Sequence, residues 1–221
     1  MITRLRRRLD ATRSDAGITL IELMISSFLG LLLLAAVCSM FVMVAQQTVA
    51  SQGARLSTAD ASNIVNVVST TIRASINNPK QGSDTPDPAI VSATSSAVVV
   101  ISYTDAGPSF ETPLQIRYRI VDGRMTEDRW KPSIVNGYAV FPGVNTTPYA
   151  TRTLGNVVVN TAQEPLFRYY DSAQPTPNEL VPDPTNGLSL AQRQATVSIQ
   201  FDVKVLAHDS NQVVEVQNTV G

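Results

Sequence analysis

The sequence predicts an α+β protein: a long N-terminal α-helix, transmembrane in its first half, packed on a C-terminal antiparallel β-sheet domain. Three observations predict it. Residues 23–45, LMISSFLGLLLLAAVCSMFVMVA, are apolar without a single charge. Residues 46–78 hold no proline and repeat apolar residues at helical steps,. Beyond Pro79 the pattern changes to the two-residue alternation of strands,.

At roughly 1.5 Å rise per residue the apolar run covers about 34 Å as a helix, enough for a hydrocarbon core of about 30 Å. Ahead of it Arg4, Arg6, Arg7, Arg8 and Arg13 outweigh Asp10 and Asp15. Positive-inside bias therefore keeps residues 1–17 in the cytoplasm and sends the chain after residue 45 outward. A secretory signal has an apolar core of about 7 to 15 residues closed by a small-x-small site. This run is longer and no Ala-x-Ala closes it. Glu22, at the entry to the run, needs its own explanation, because an ionised carboxylate there costs on the order of 2.5 kcal/mol unless paired or shallow. As a helix cap it would suit the positive end of the macrodipole, worth about 0.3 to 1 kcal/mol where exposed.

The pattern Gly17-Ile18-Thr19-Leu20-Ile21-Glu22, followed by an apolar helix, resembles the class III signal of type IV pilins and pseudopilins. The resemblance implies cleavage by a prepilin peptidase between Gly17 and Ile18 and N-methylation of Ile18, with the helix kept in the product. Most family members begin the mature chain with Phe, so Ile18 departs from the pattern, while the preceding Gly keeps it. Cleavage would create a cationic amine on Ile18 one helical turn from Glu22. In the family this charge pair between Ile18 and Glu22 is thought to set register as subunits join. The implied partners are the peptidase, other pilins or pseudopilins, the inner-membrane assembly platform and motor, and membrane lipid before assembly. More narrowly, LxIRYRI-DG, LFRYYD and a closing VEVQN look like W-type minor pilins and J-type pseudopilins.

The implied product is a structural, minor subunit of a type IV pilus or a type II secretion-like pseudopilus, placed in a tip or initiation complex. It would sit single-pass in the bacterial cytoplasmic membrane, N-terminus inside, before entering an extracytoplasmic filament. The rival reading is an uncleaved single-pass anchor carrying an extracytoplasmic binding domain.

Four segments follow: a basic leader (1–17), a transmembrane and assembly helix (18–45), its amphipathic continuation (46–78) and a β-rich domain (79–221). Removing the seven leader charges leaves 12 basic and 16 acidic residues from the 17 and 18 of the whole chain. That acidic balance points away from direct nucleic-acid binding. Cys38 is the only cysteine and lies in the apolar run, so no intrachain disulfide forms and the C-terminal disulfide loop of many Gram-negative pilins is absent,.

Leu56, Ala59, Ile64, Val68, Ile72 and Ile76 trace the stripe that would seat the continuation on the domain. Asn77-Asn78-Pro79 stops the helix, giving about 85 Å from about residue 18 to about 75. Residues 80–88 read as a loop and 97–104 as a strand. A hairpin runs through 114–120, turns at Asp122-Gly123 and returns through 125–130. Short strands are expected at 157–159 and 166–170, and a proline-rich loop at 171–187. Residues 195–205 alternate best of all, and a turn at 208–211 leads into 213–216.

Catalytic candidates are weak. His208, the only histidine, is flanked in a predicted turn by Asp209 and Ser210, which cannot converge as a triad does,. Asp183, Thr185 and Asn186 before Gly187 offer oxygens for Ca²⁺, and some pseudopilins bind that ion in a loop. Here the spacing departs from the EF-hand type and no acid follows at its twelfth position, so a plain turn is the stronger reading. Trp130, Tyr118, Tyr169 and Tyr170 read as core aromatics. With no Walker loop, CxxC pair or GxGxxG, neither a cofactor nor an enzyme is expected.

Overall fold

The structure, a computed structural model, describes residues 19–103, 112–155, 158–160, 164–206 and 213–221. It divides into two compact units that part between Val49 and Ala50. Helix α1 (Leu20–Arg73) belongs to both, and no residue of its first thirty is buried.

In the second unit α1 forms one wall of the core. Its buried face is Gly53, Ser57, Ala61, Ile64, Val65, Val68, Ser69, Thr71 and Ile72. Ile64, Val68 and Ile72 stand where the sequence places them, whereas Leu56 and Ala59 are exposed and Ile76 is half-buried. One residue turns a helix by about 100°, so Leu56 and the buried Ser57 cannot share a face. Small residues carry the first turns of the stripe, which hydrophobicity alone does not reveal.

The helix also ends sooner than Asn77-Asn78-Pro79 suggests. After Arg73 the backbone finds partners in the sheet: the Ile76 amide donates to Ile101 O at 2.9 Å and that of Tyr103 to Ala74 O at 3.4 Å. Sheet pairing thus competes with the last helical turn and wins.

Among the described residues ten strands follow, β1 (Ile90–Ala93), β2 (Ala97–Ser102), β3 (Leu114–Val121), β4 (Arg124–Trp130), β5 (Ser133–Val135), β6 (Tyr138–Val140), β7 (Ala150–Gly155), β8 (Phe167–Tyr170), β9 (Ser198–Leu206) and β10 (Val213–Val220), with the short helix α2 (Leu190–Ala195) before β9. They form an antiparallel five-stranded sheet, β1-β2-β3-β4-β7, a three-stranded sheet, β10-β9-β8, and the β5–β6 hairpin. This is the expected α+β layout. The β3–β4 hairpin turns at Asp122-Gly123 with φ of 49° and 69°, the left-handed pair a two-residue turn requires,.

Val98, Val100, Ile116, Tyr118 and Met125 meet Phe167, Tyr169, Ile199, Phe201, Val203 and Val205 in one core with α1. Along β9 the residues from Ser198 alternate half-buried and buried, as predicted. Its start differs: Ala195 ends α2 and Val197 is exposed. Ser189 caps α2 reciprocally with Gln192, and the helix this capping box starts takes Ala195, the first residue that alternation assigns to the strand,. Of 157–159, Val158 makes a single bridge to Val205, and residue 157 lies outside the described residues. Strand β2 ends at Ser102, residue 104 of the predicted strand lies outside the described residues, and β10 runs on to Val220.

Ile64 is fully buried and Leu56 is 63% exposed. Ile64→Ala should therefore lower unfolding stability by about 2–5 kcal/mol. Leu56→Ala should stay within about 0.5 kcal/mol. Denaturant melts of the full chain in detergent check both.

Candidate functional site

The helix start is built by two side chains. Thr19 precedes the first helical residue, and its Oγ1 accepts the Glu22 amide at 3.2 Å. In return Glu22 Oε2 accepts the Thr19 amide and the Thr19 hydroxyl, each at 3.3 Å. This is a capping box, the Thr-x-x-Glu arrangement that satisfies two otherwise orphaned amides at a helix N-terminus. Glu22 thus has a local role in the uncleaved chain. Gly17 and Ile18, the expected cleavage and methylation site and the other half of the Ile18–Glu22 pair, lie outside the described residues.

From this cap the helix presents apolar side chains on every side. Leu20, Leu33, Met40 and Phe41 are among them, Phe41 at 75% exposure. A helix apolar all round suits a lipid or helix-bundle environment, not water. Its hydroxyls agree: Ser39 Oγ donates to Ala36 O at 2.8 Å and Thr48 Oγ1 to Val44 O at 2.9 Å, so neither needs water,. Cys38 is exposed on the same segment. The segment is long and apolar enough to cross a membrane, with mean hydropathy 2.6 over eighteen residues,.

Residues 12–37 match the family model described as the prokaryotic N-terminal methylation motif. The chain carries a type IV pilin-like N-terminal signal. No curated protein sequence matches the chain. Among solved structures it is similar to a chain of the GspK-GspI-GspJ complex of the enterotoxigenic Escherichia coli type 2 secretion system, at 10% identity and a TM-score of 0.42, over 74% of this chain and 95% of that one.

Beyond the signal, the loop oxygens and the aromatic candidates have structural partners. The Asp183 carboxylate accepts the amides of Thr185 at 3.0 Å and Asn186 at 2.8 Å through one oxygen. Those amides hold its carboxyl below the usual carboxylate range. The turn closes on Gly187, at φ 70°, where a Cβ would lie 2.3 Å from Ala93 O. Asp183, Thr185 and Asn186 therefore build a turn packed against β1. Among the described residues no group of three His, Cys, Asp or Glu is placed to hold a metal. Trp130, Tyr118 and Tyr169 are buried and Tyr170 is half-buried. His208 lies outside the described residues.

Sequence reasoning missed a buried ionic network on β3, β4 and β7. Glu127 is fully buried on the α1 side of the sheet. It accepts Tyr118 Oη at 2.9 Å and Arg152 at 3.0 and 2.9 Å, and pairs with Arg129. Tyr118 Oη also meets Thr71 Oγ1 on α1 at 2.7 Å, so helix and sheet are joined through hydrogen bonds. Burial pushes the Glu127 carboxyl up, but the bonds from Arg152, Arg129 and Tyr118 outweigh it and leave it below its usual range. Burial and the Glu127 charge push the Tyr118 phenol far up, so it remains a donor. On the opposite face Asp128 takes Arg117 at 2.7 Å, Arg119 at 3.0 Å and Thr151 at 2.7 Å, while Arg117 lies 5.0 Å from the Trp130 ring centroid. Alternating Arg117-Tyr118-Arg119 opposite Glu127-Asp128 was the available signal, since the hairpin register pairs them across strands,. Both carboxylates are held by arginines, an arrangement that clamps structure instead of poising an acid or base. Glu127→Gln removes the buried charge that Tyr118, Arg129 and Arg152 converge on and should cost about 3–5 kcal/mol, read as a lowered denaturation midpoint,.

Asp202, on β9, behaves in the opposite way. Burial and the neighbouring Glu215 carboxyl push it up to about 6, against the pull of Lys204 and Arg168. One of its oxygens is buried without a hydrogen-bond partner among the described residues. Its folded value exceeds its unfolded one, so between about 4 and about 6 the native state holds a proton that the unfolded chain has lost,. The resulting penalty is complete above that window and absent below it. Glu127 and Asp128, with depressed values, contribute stability of opposite sign, lost as pH falls,. Asp202→Asn should raise stability at pH 7 by about 1 kcal/mol, kept small by partial solvation. Melting temperatures measured from pH 7 to pH 4 should show the gain shrinking to nothing.

Proposed function

We propose that this chain is a structural, minor subunit of a type IV pilus or a type II secretion-like pseudopilus, processed by a prepilin peptidase and assembled through its N-terminal helix. The observation that carries this reading is the continuity of the methylation motif at residues 12–37 with a helix that is apolar on all sides. A helix of that kind can leave lipid only for a packing of other apolar helices. The basic leader supports an inner-membrane orientation with the N-terminus inside.

In this mechanism the peptidase cuts after Gly17 and the Ile18 amine is methylated. Among the described residues Glu22 meets Thr19 through Oε2, and Oε1 would receive that amine within the subunit or from a neighbour. Pairing neutralises the only charge near the apolar surface, so helices can stack in register. A platform and motor would then draw the subunit from the membrane into a tip or initiation complex with other pilins or pseudopilins.

One observation favours the rival, an uncleaved anchor bearing an extracytoplasmic binding domain: the Thr19–Glu22 cap is complete without cleavage. Mass spectrometry of the N-terminus from cells with and without the peptidase separates the two. The proposed outcome is a chain beginning at methylated Ile18 only where the peptidase is present, and an intact N-terminus in its presence would overturn it. Glu22→Ala should still be processed but should lose most of its incorporation into sheared filaments. Glu22→Asp should restore part of it.

A further inference from the structure

At the end of the second unit where α1 finishes, a cavity of about 840 Å³ opens between the chain at residues 78–81, β1, α2 and the β5–β6 hairpin. Its volume falls within the range of ligand-binding clefts, about 300–1,000 Å³. Its walls are already fixed. Asn78 Nδ2 donates to Ala139 O at 3.0 Å and Asn136 Nδ2 to Gln81 Oε1 at 3.1 Å, tying the hairpin to the chain opposite. Arg117 Nη1 holds Val144 O at 3.0 Å, beneath the same wall. A preformed groove spares a ligand the ordering cost of building it.

Pro79, Pro88, Ile101, Tyr138 and Phe141 make the lining largely apolar, and Leu190 and Val140 extend it onto the rim at 53% and 50% exposure. Charge is present and unequal. Lys80 and Asp87 face each other at 3.6 Å on the rim, where each compensates the other. Arg193 spends one guanidinium nitrogen on the carbonyls of Ile90 at 3.1 Å and Val91 at 2.6 Å. Among the described residues it has no carboxylate partner. Asn78 and Gln81 each bind within the wall through one end of the carboxamide, which leaves the other end to a ligand. The ends left are an acceptor, Asn78 Oδ1, and a donor, Gln81 Nε2, one for each kind of peptide group,.

From this charge complementarity we infer that the groove binds an extended peptide segment of another protein, with a large apolar side chain in the trough and a carboxylate on Arg193. This inference does not rest on the filament reading, because it concerns a groove in the second unit alone.

The test is selection of a phage-displayed random heptapeptide library on the full chain in lipid nanodiscs, with empty nanodiscs as the control. Selected peptides should share an Asp or Glu within three residues of an aromatic or large aliphatic residue. Exchanging that acid for its amide should weaken binding about tenfold or more, as expected for a charged hydrogen bond in a partly desolvated groove. Leu190→Asp and Val140→Asp, at exposed rim positions, should do the same while leaving the melting transition in place. Arg193→Gln should remove the preference for acid over amide. No enrichment over empty nanodiscs, acid-free selected peptides, or affinity unchanged in both rim variants would each overturn the inference.

Discussion

The two larger sheets of the second unit share one core with a stripe of α1 whose phase the helix dictates. The stripe runs from Gly53 to Ile72 and begins with small residues, Gly53, Ser57 and Ala61. Ser57 Oγ reaches Leu206 O of β9 at 3.4 Å, and where the stripe turns large the strand turns small: a Cβ on Gly155 of β7 would lie 2.6 Å from Ile64 Cδ1. Farther along, Ile64, Val65, Val68 and Ile72 fill the space between the two sheets. Burial supplies most of the attraction, since it scales with the apolar area removed from water.

Polar chemistry then adds direction to that burial. Thr71, Tyr118 and Glu127 run from helix to sheet in one chain of hydrogen bonds, and Arg152 and Arg129 neutralise its buried end. An apolar stripe tolerates small rotations, whereas this chain has one satisfied geometry. Burying the Glu127 carboxylate is tenable only because two guanidinium groups and a phenol surround it. The network therefore defines how α1 sits on β3 and β4, at the price of sensitivity to any single deletion.

Outside the second unit the same helix meets an opposite requirement. Between Leu20 and Val49 its apolar side chains are exposed among the described residues, and the hydroxyls of Ser39 and Thr48 bond to helix carbonyls. Composition and burial change together along α1. The Thr19–Glu22 box starts that helix, and the methylation motif overlies it.

Much of this was legible in the sequence because it depends on neighbours in the chain. The charge-free run, the Gly17-Ile18-Glu22 pattern, the Asp122-Gly123 turn and the alternation from Ile199 to Val205 are local signals with local causes. The α+β class follows from them. Tertiary structure decided what depends on distant partners: that Ser57 and not Leu56 faces the core, that pairing of Ile76 with Ile101 ends the helix before Asn77, and that Ser189 and Gln192 convert the start of a predicted strand into α2. It also decided the fate of charge. Glu127 and Asp128 look like ordinary solvated residues in the sequence, and only the register of β3, β4 and β7 brings four arginines to them, because a buried carboxylate is tolerated where its counter-charges converge,.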